Sequence, residues 1–342
     1  MRHSKWIFLT LFAFVAAFVF GIVPARGAHQ EGEIQGVIPI TLMIYENSKL
    51  TGDVQCLQTD NGPCIRFGKP GIKLDLNGFT MTGPANEPPR TNCVAGASFG
   101  AQQADGIQST FDKVVIEGPG LVQRMRRHGI ALLGASAADP VEKSVVKKLV
   151  SHQNCFSGIF MGFVNNTLVE GVVSARNSAN SEARPCGGVC VTNSNNNRVR
   201  RSEIAGNGSI APGGIPGPIP IPNDFGVGLV GFSSGNIIEE NGIGGNINGL
   251  ALFPIGALTP TGNLIRRNVI VGNPPIEVSA DNPGINPVGA DIRDFSAAGS
   301  NTFKENLCVT YTGATNPPPC PNVTRFAGHR NNHGGGDDGD DD

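Results

Sequence analysis

The chain has 342 residues, with 26 Lys and Arg against 28 Asp and Glu, 47 Gly and a single Trp. Such a length suits one sizeable domain. The near-balanced charge excludes a polybasic surface of the kind that grips nucleic acid or an anionic membrane.

Arg2, His3 and Lys5 precede an apolar run from Trp6 to Val23, and Ala25 and Gly27 supply the small residues a signal peptidase accepts. Residues 1–27 are expected to be a secretory signal cleaved before Ala28. The alternative is an uncleaved anchor, since the run is nearly long enough to span a bilayer. Cleavage would remove the only Trp, and no later segment is apolar enough to cross a membrane. The expected compartment is extracellular or periplasmic.

Residues 28–69 read as an N-terminal cap, with short strands in Ile38–Leu42 and Asp53–Cys56. Residues 70–328 read as a solenoid. Gly71 to Gly78 is expected to supply the first full coil strand, and Asp105-Gly-Ile107 with Val114 to Gly120 the next coil. A short strand of the form Gly, apolar, any, apolar then recurs at Gly129, Gly158, Gly188, Gly226 and Gly249. The alternation is that of strands, not helices.

A second frame follows these strands. Counting from Asn236 or Asn263, an apolar residue falls at +2, a small polar residue at +5, an apolar residue at +7 and Asn again at +10. The frame also fits from Asn197, from Asn301 until Cys308, and from Asn166, where Asn177 arrives one place late. Repeats of this kind stack coil on coil. The expected fold is all-β, a right-handed parallel β-helix with an N-terminal cap and long inserted loops at 84–104 and 211–222. Asn at 0 and +10 should form ladders at the turns, because its amide both donates and accepts. Residues 329–342 are expected to be a solvated Asp-rich tail, with weak metal binding by His329, His333 and the aspartates as the minor reading.

All eight Cys lie after residue 27, which suggests disulfides in an oxidising compartment. The local pairs are Cys56–Cys64, Cys186–Cys190 and Cys308–Cys320, leaving Cys93–Cys155. Cys155 and Cys186 also fall in adjacent coils, so a bridge between them is open. A zinc site at Cys186 and Cys190 lacks a second Cys pair and a nearby His.

The stretch Gly71-Ile-Lys-Leu-Asp-Leu-Asn-Gly-Phe-Thr-Met-Thr-Gly83, then Val114 to Gly120, then the Gly and Asn repeats, resembles the secreted right-handed β-helix proteins of the pectin-lyase-like superfamily over roughly residues 35–310. The resemblance implies the fold. It also points to polysaccharide lyases, glycoside hydrolases, uronate epimerases and members without known activity, and fold alone does not choose among them. The body lacks the Asn-Thr-Asp, Asp-Asp and Gly-His-Gly strings of polygalacturonase-type hydrolases and the Asp-Pro-His-Asp string of alginate-type epimerases. Ca²⁺ would enter only if the chain were a lyase.

The outward positions of the Gly strands are Ala131, Phe160, Cys190, Gly228 and Ala251, which offer no acid, base or nucleophile. Charges gather instead at +3 and +4 of the Asn frame, with signs that alternate from Lys147-Lys148 through Glu170, Arg200-Arg201, Glu239-Glu240 and Arg266-Arg267 to Lys304-Glu305. Stacked, these should form cross-strand ion pairs that favour correct register.

One constellation could carry catalysis. Asp105 and His128 precede consecutive Gly-Ile pairs and should stack, with Arg127 beside them and Arg124, Arg126 and His152 near. Arg could neutralise a uronate carboxylate, and His or Asp could move a proton. The competing reading makes Asp105 and His128 strand caps and the arginines solvated. The favoured expectation is therefore a secreted β-helix scaffold for extracellular polysaccharide, without cofactor. The alternative is a polysaccharide lyase or glycoside hydrolase acting on a uronate-containing polymer through Asp105, Arg127 and His128. The missing Trp speaks against a strong stacking platform for sugars.

Overall fold

The computed structural model describes residues 32–85, 93, 104–177, 186–208, 225–273, 290–315 and 319–320. Among these there is no helix. One coil shows the plan. Ile159–Gly162 lies on a first face, Leu168–Glu170 on a second and Val173–Ala175 on a third. Each strand pairs in parallel with its equivalent one coil before and one coil after: Ile159 lies opposite Ile130 and Val189, Val169 opposite Val146 and Val199, and Ser174 opposite Ser151 and Ile204. Face one is a ten-stranded sheet from Leu42–Ile44 to Tyr311–Gly313. The chain is a right-handed parallel β-helix.

The strands are three or four residues long on most faces, and alternate residues point into the coil. Ile159, Met161, Val169 and Ile204 are fully buried there, in one continuous aliphatic column. Each such side chain contributes about 1.5–3 kcal/mol of burial free energy. The Glu33–Ile38 strand pairs with Ser48–Cys56, and Leu42–Ile44 with Ile65–Phe67. From Glu33 onward the expected cap 28–69 is thus part of the stack, which begins well before residue 70. The signal 1–27, the tail with His329 and His333, and the 211–222 loop lie outside the described residues.

Each corner turns on a left-handed residue followed by a ladder side chain. At the second corner the left-handed residues are Gly171, Arg201, Glu240, Arg267 and Glu305, with φ between 50° and 61°. From Arg201 onward the next residue of each coil accepts from the coil before, whereas Val172, after Gly171, only donates its N–H to Ser202 Oγ. Ladders run through Asn197, Asn236, Asn263 and Asn301 at the first corner, and through Ser202, Asn241, Asn268 and Asn306 at the second. The third corner holds Asn154, Asn177, Asn207, Asn246 and Asn273. Nδ2 to Oδ1 distances are 2.9–3.1 Å throughout. The expected ladders at 0 and +10 are present, and the +5 position forms a third. The copy aligned from Asn166 is off by one residue. Thr167 is the ladder member, donating its N–H to Asn197 Oδ1, and Asn177 then falls at +10.

The disulfides are Cys56–Cys64, Cys93–Cys155, Cys186–Cys190 and Cys308–Cys320, so Cys155 does not bridge to Cys186. On face two the charges form the expected ladder: Lys147 meets Glu117 at 3.0 Å and Arg200 meets Glu170 at 2.8 Å. Glu239 is more than a surface rung. Its side chain is buried and receives Arg198, Arg266 at 2.7 Å and Arg267 at 3.5 Å. The strands Thr80–Thr82, Val173–Ala175, Glu203–Ala205 and Val269–Val271 lie on face three, and the next described strand after each lies on face one.

Candidate functional site

Asp105 and His128 do stack. Gly106 donates its N–H to the His128 carbonyl at 2.9 Å, and Asp105 Oδ1 accepts the His128 N–H at 3.2 Å. One coil on, His128 Nδ1 accepts the Ser157 N–H at 3.1 Å. The two side chains thus repeat one task, capturing the backbone N–H of the turn above. Asp105 Oδ2 accepts from Gln108 Nε2 at 3.0 Å and lies 3.8 Å from Arg127 Nη1, and Gln58 Nε2 holds the Asp105 carbonyl at 2.7 Å.

Burial sets the protonation. Desolvation pushes the Asp105 carboxyl above its ordinary pKa, against the Arg127 charge and the hydrogen bonds it accepts. Desolvation, helped by Arg127, holds His128 well below its ordinary value. His128 is therefore neutral at pH 7, and its accepting Nδ1 places the proton on Nε2. The ring stacks on Phe160 at 4.5 Å between centroids.

Arg127 departs from the expected solvated arginine. It is 3% exposed, and its Nε and Nη1 make no hydrogen bond. Arg124 Nε instead meets Gln153 Oε1 at 3.4 Å, and Arg126 Nη1 meets Asn61 Oδ1 at 2.6 Å. His152 lies on face three, opposite Gln123 and Ala175. The structure therefore brings Asp105, Arg127 and His128 together and engages the other expected residues elsewhere.

Face one extends the site. Its outward row runs Met43, Arg66, Gln108, Ala131, Phe160, Cys190, Gly228, Ala251 and Arg293. Arg66 and Gln108 stand beside Asp105 and line a groove of about 770 Å³ that continues to Phe111, Asp112, Asp139 and Phe163. Arg66, Gln108 and Gln58 were not legible as site residues. The strand Ile65–Phe67 has no leading Gly, and in Ile107–Ser109 the second inward residue is Ser, so neither fits the Gly, apolar, any, apolar pattern. A pattern that dropped the leading Gly and required only one inward apolar residue fits both. Among the described residues no group of three or more His, Cys, Asp or Glu could hold a metal ion.

The family model for the right handed beta helix region matches residues 101–307. The chain belongs to that family. Among solved structures it is similar to tailspike protein 2 of the Escherichia coli O157:H7 bacteriophage CAB120, at 12% identity and TM-score 0.51, over 82% of this chain and 37% of that one. It is also similar to a double mutant of the periplasmic alginate epimerase AlgG, at 13% identity and TM-score 0.47, over 83% and 65%. The pectate lyase Pel9A follows at 13% identity and TM-score 0.41, over 83% and 62%. The chain spans well under half of the tailspike and less than two thirds of the other two. At these identities the likeness is one of fold. A search among curated proteins found no match.

Proposed function

We propose that this protein is a secreted β-helix scaffold that binds an extracellular polysaccharide and leaves it chemically unchanged. The observation that carries this reading is the use made of Asp105 and His128. Their acceptor atoms hold the N–H groups of His128 and Ser157, which are parts of the stack itself. A general base must instead reach a proton on its substrate. Four disulfides support an oxidising compartment. The groove beside the cluster, with aromatic and planar polar side chains together, supports a sugar ligand.

The test is the purified chain against acidic and neutral polysaccharides, with and without Ca²⁺, following unsaturated-product absorbance, new reducing ends and retention on immobilised polymer. Retention without product is expected. One observation favours the second reading, a lyase or hydrolase acting on a uronate polymer: the buried Arg127 keeps Nε and Nη1 without a hydrogen-bond acceptor. In that reading Arg127 neutralises a carboxylate and Asp105 or His128 moves the proton, with Ca²⁺ enlisted by a lyase. Product formation lost in Arg127→Ala and His128→Ala would establish it.

A further inference from the structure

The middle of the face-one outward row, from Ala131 to Ala251, is closed. Ala131 and Ala251 are fully buried, and Phe160 and Cys190 nearly so. Open surface of ligand-binding character lies instead along the corner between faces one and two. There the chain leaves every second face-one strand through an aromatic residue: Tyr45, Phe111, Phe163, Phe232 and Phe295. Tyr45 is 59% and Phe295 37% exposed, the other three are half-buried, and the Phe163 and Phe232 rings lie 6.2 Å apart.

Phe163 holds its place against a local preference. Its φ is 54°, and in the next two coils the same turn position is filled by Asn193 at 50° and Gly231 at 68°. Asn and Gly tolerate the left-handed region, and a bulky aromatic does not. A residue that breaks the turn rule on an exposed corner points to a role outside folding. Phe163 and Phe111 border the 770 Å³ groove, which also presents Arg66, Gln108, Asp112 and Asp139. Arg66 Nε is buried without a hydrogen-bond partner, and Asp112 Oδ1 already accepts the Glu142 N–H at 2.8 Å. One cation against two carboxylates disfavours a polyanion.

We infer that this corner is the ligand site, and that it takes a neutral, hydroxyl-rich oligosaccharide lying lengthwise across the coils. The inference rests on the polysaccharide-binding reading and names its site and ligand class. Apolar ring faces of the sugar stack on Phe111 and Phe163. Hydroxyl groups meet the exposed Asp139 carboxylate and the part of the Arg66 side chain that lines the groove.

The test is calorimetric titration of the full chain with neutral oligosaccharides (glucan, xylan and mannan fragments) and with uronate oligosaccharides, repeated on Phe163→Asn and Asp139→Asn. A neutral fragment should bind, and Phe163→Asn should bind it about tenfold more weakly. The same variant should keep or raise Tm, a combination that a merely structural phenylalanine would not produce. Neutral binding unchanged in both variants, or tighter binding of uronates, overturns the inference while polysaccharide binding stands. Binding of neither class overturns the polysaccharide reading as well.

Discussion

Asn273 donates both its backbone N–H and its side-chain Nδ2–H to one oxygen, Oδ1 of Asp291, each at 3.1 Å. Asp291 thus closes the third-corner ladder, and its Oδ2 takes the N–H groups of Val309 at 2.8 Å and Thr310 at 3.0 Å. A carboxylate suits a terminus, because it accepts on both oxygens and donates nothing. Asp291→Ala should cost about 2–4 kcal/mol by orphaning several buried N–H groups. Asp291→Asn should cost less, since it keeps Oδ1 and turns a donor toward only Val309 and Thr310. Urea denaturation of the two variants checks the order. Equal loss would mean that the ladder ends elsewhere.

At Glu239, burial pushes the carboxyl pKa up, but hydrogen bonds from Arg266 and Arg198 outweigh it and leave the pKa below the ordinary value. A depressed carboxyl contributes stability that is present above its unfolded pKa and lost as pH falls through the folded one. Glu239→Gln should therefore destabilise by about 1–3 kcal/mol at pH 7. The gap between variant and wild type should close toward acid pH. Thermal melts across pH 3–8 measure that convergence.

His128 is held neutral, so the unfolded chain binds its proton more readily. The stability it contributes is full above the ordinary value of 6.5 and declines as pH falls below it. His128→Asn keeps an acceptor for the Ser157 N–H and cannot titrate. It should flatten that decline and stay within about 1 kcal/mol of wild type at neutral pH, whereas His128→Ala should lose about 1–2. Asp105 acts in the opposite sense. Its raised pKa gives a contribution that is full below the ordinary carboxylate value and is lost as pH rises through the folded one.

The disulfides should differ in worth. Cys93–Cys155 spans 62 residues and Cys186–Cys190 spans 4. Loop-closure entropy assigns about 4 kcal/mol to the longer and about 2 to the shorter. Paired Cys→Ser variants, compared by denaturant midpoint, should rank in that order.

The repeats alone determined much of the architecture. Strand period and Gly and Asn spacing are local properties, so β-strands, coils and two of the three ladders followed from the one-dimensional pattern, whereas the choice of Cys93 over Cys186 as the partner of Cys155 needed the stack. The stacking of Asp105 on His128 followed too, since both precede a Gly-Ile pair. Only the tertiary structure decided what those atoms do. Ser157, Gln108 and Gln58 reach Asp105 and His128 from three different coils, and burial then sets the charge state. The register of Thr167 against Asn197 likewise needed the stack, because a one-residue slip keeps the pattern nearly intact but turns every side chain over. Phe111, Phe163 and Phe232 are scattered in the sequence and share a corner only because connections of unequal length return each coil to the same register. Loop length is free to vary while the backbone ladder is not, and for that reason the surface where a ligand would sit could be read from the fold and not from the spacing.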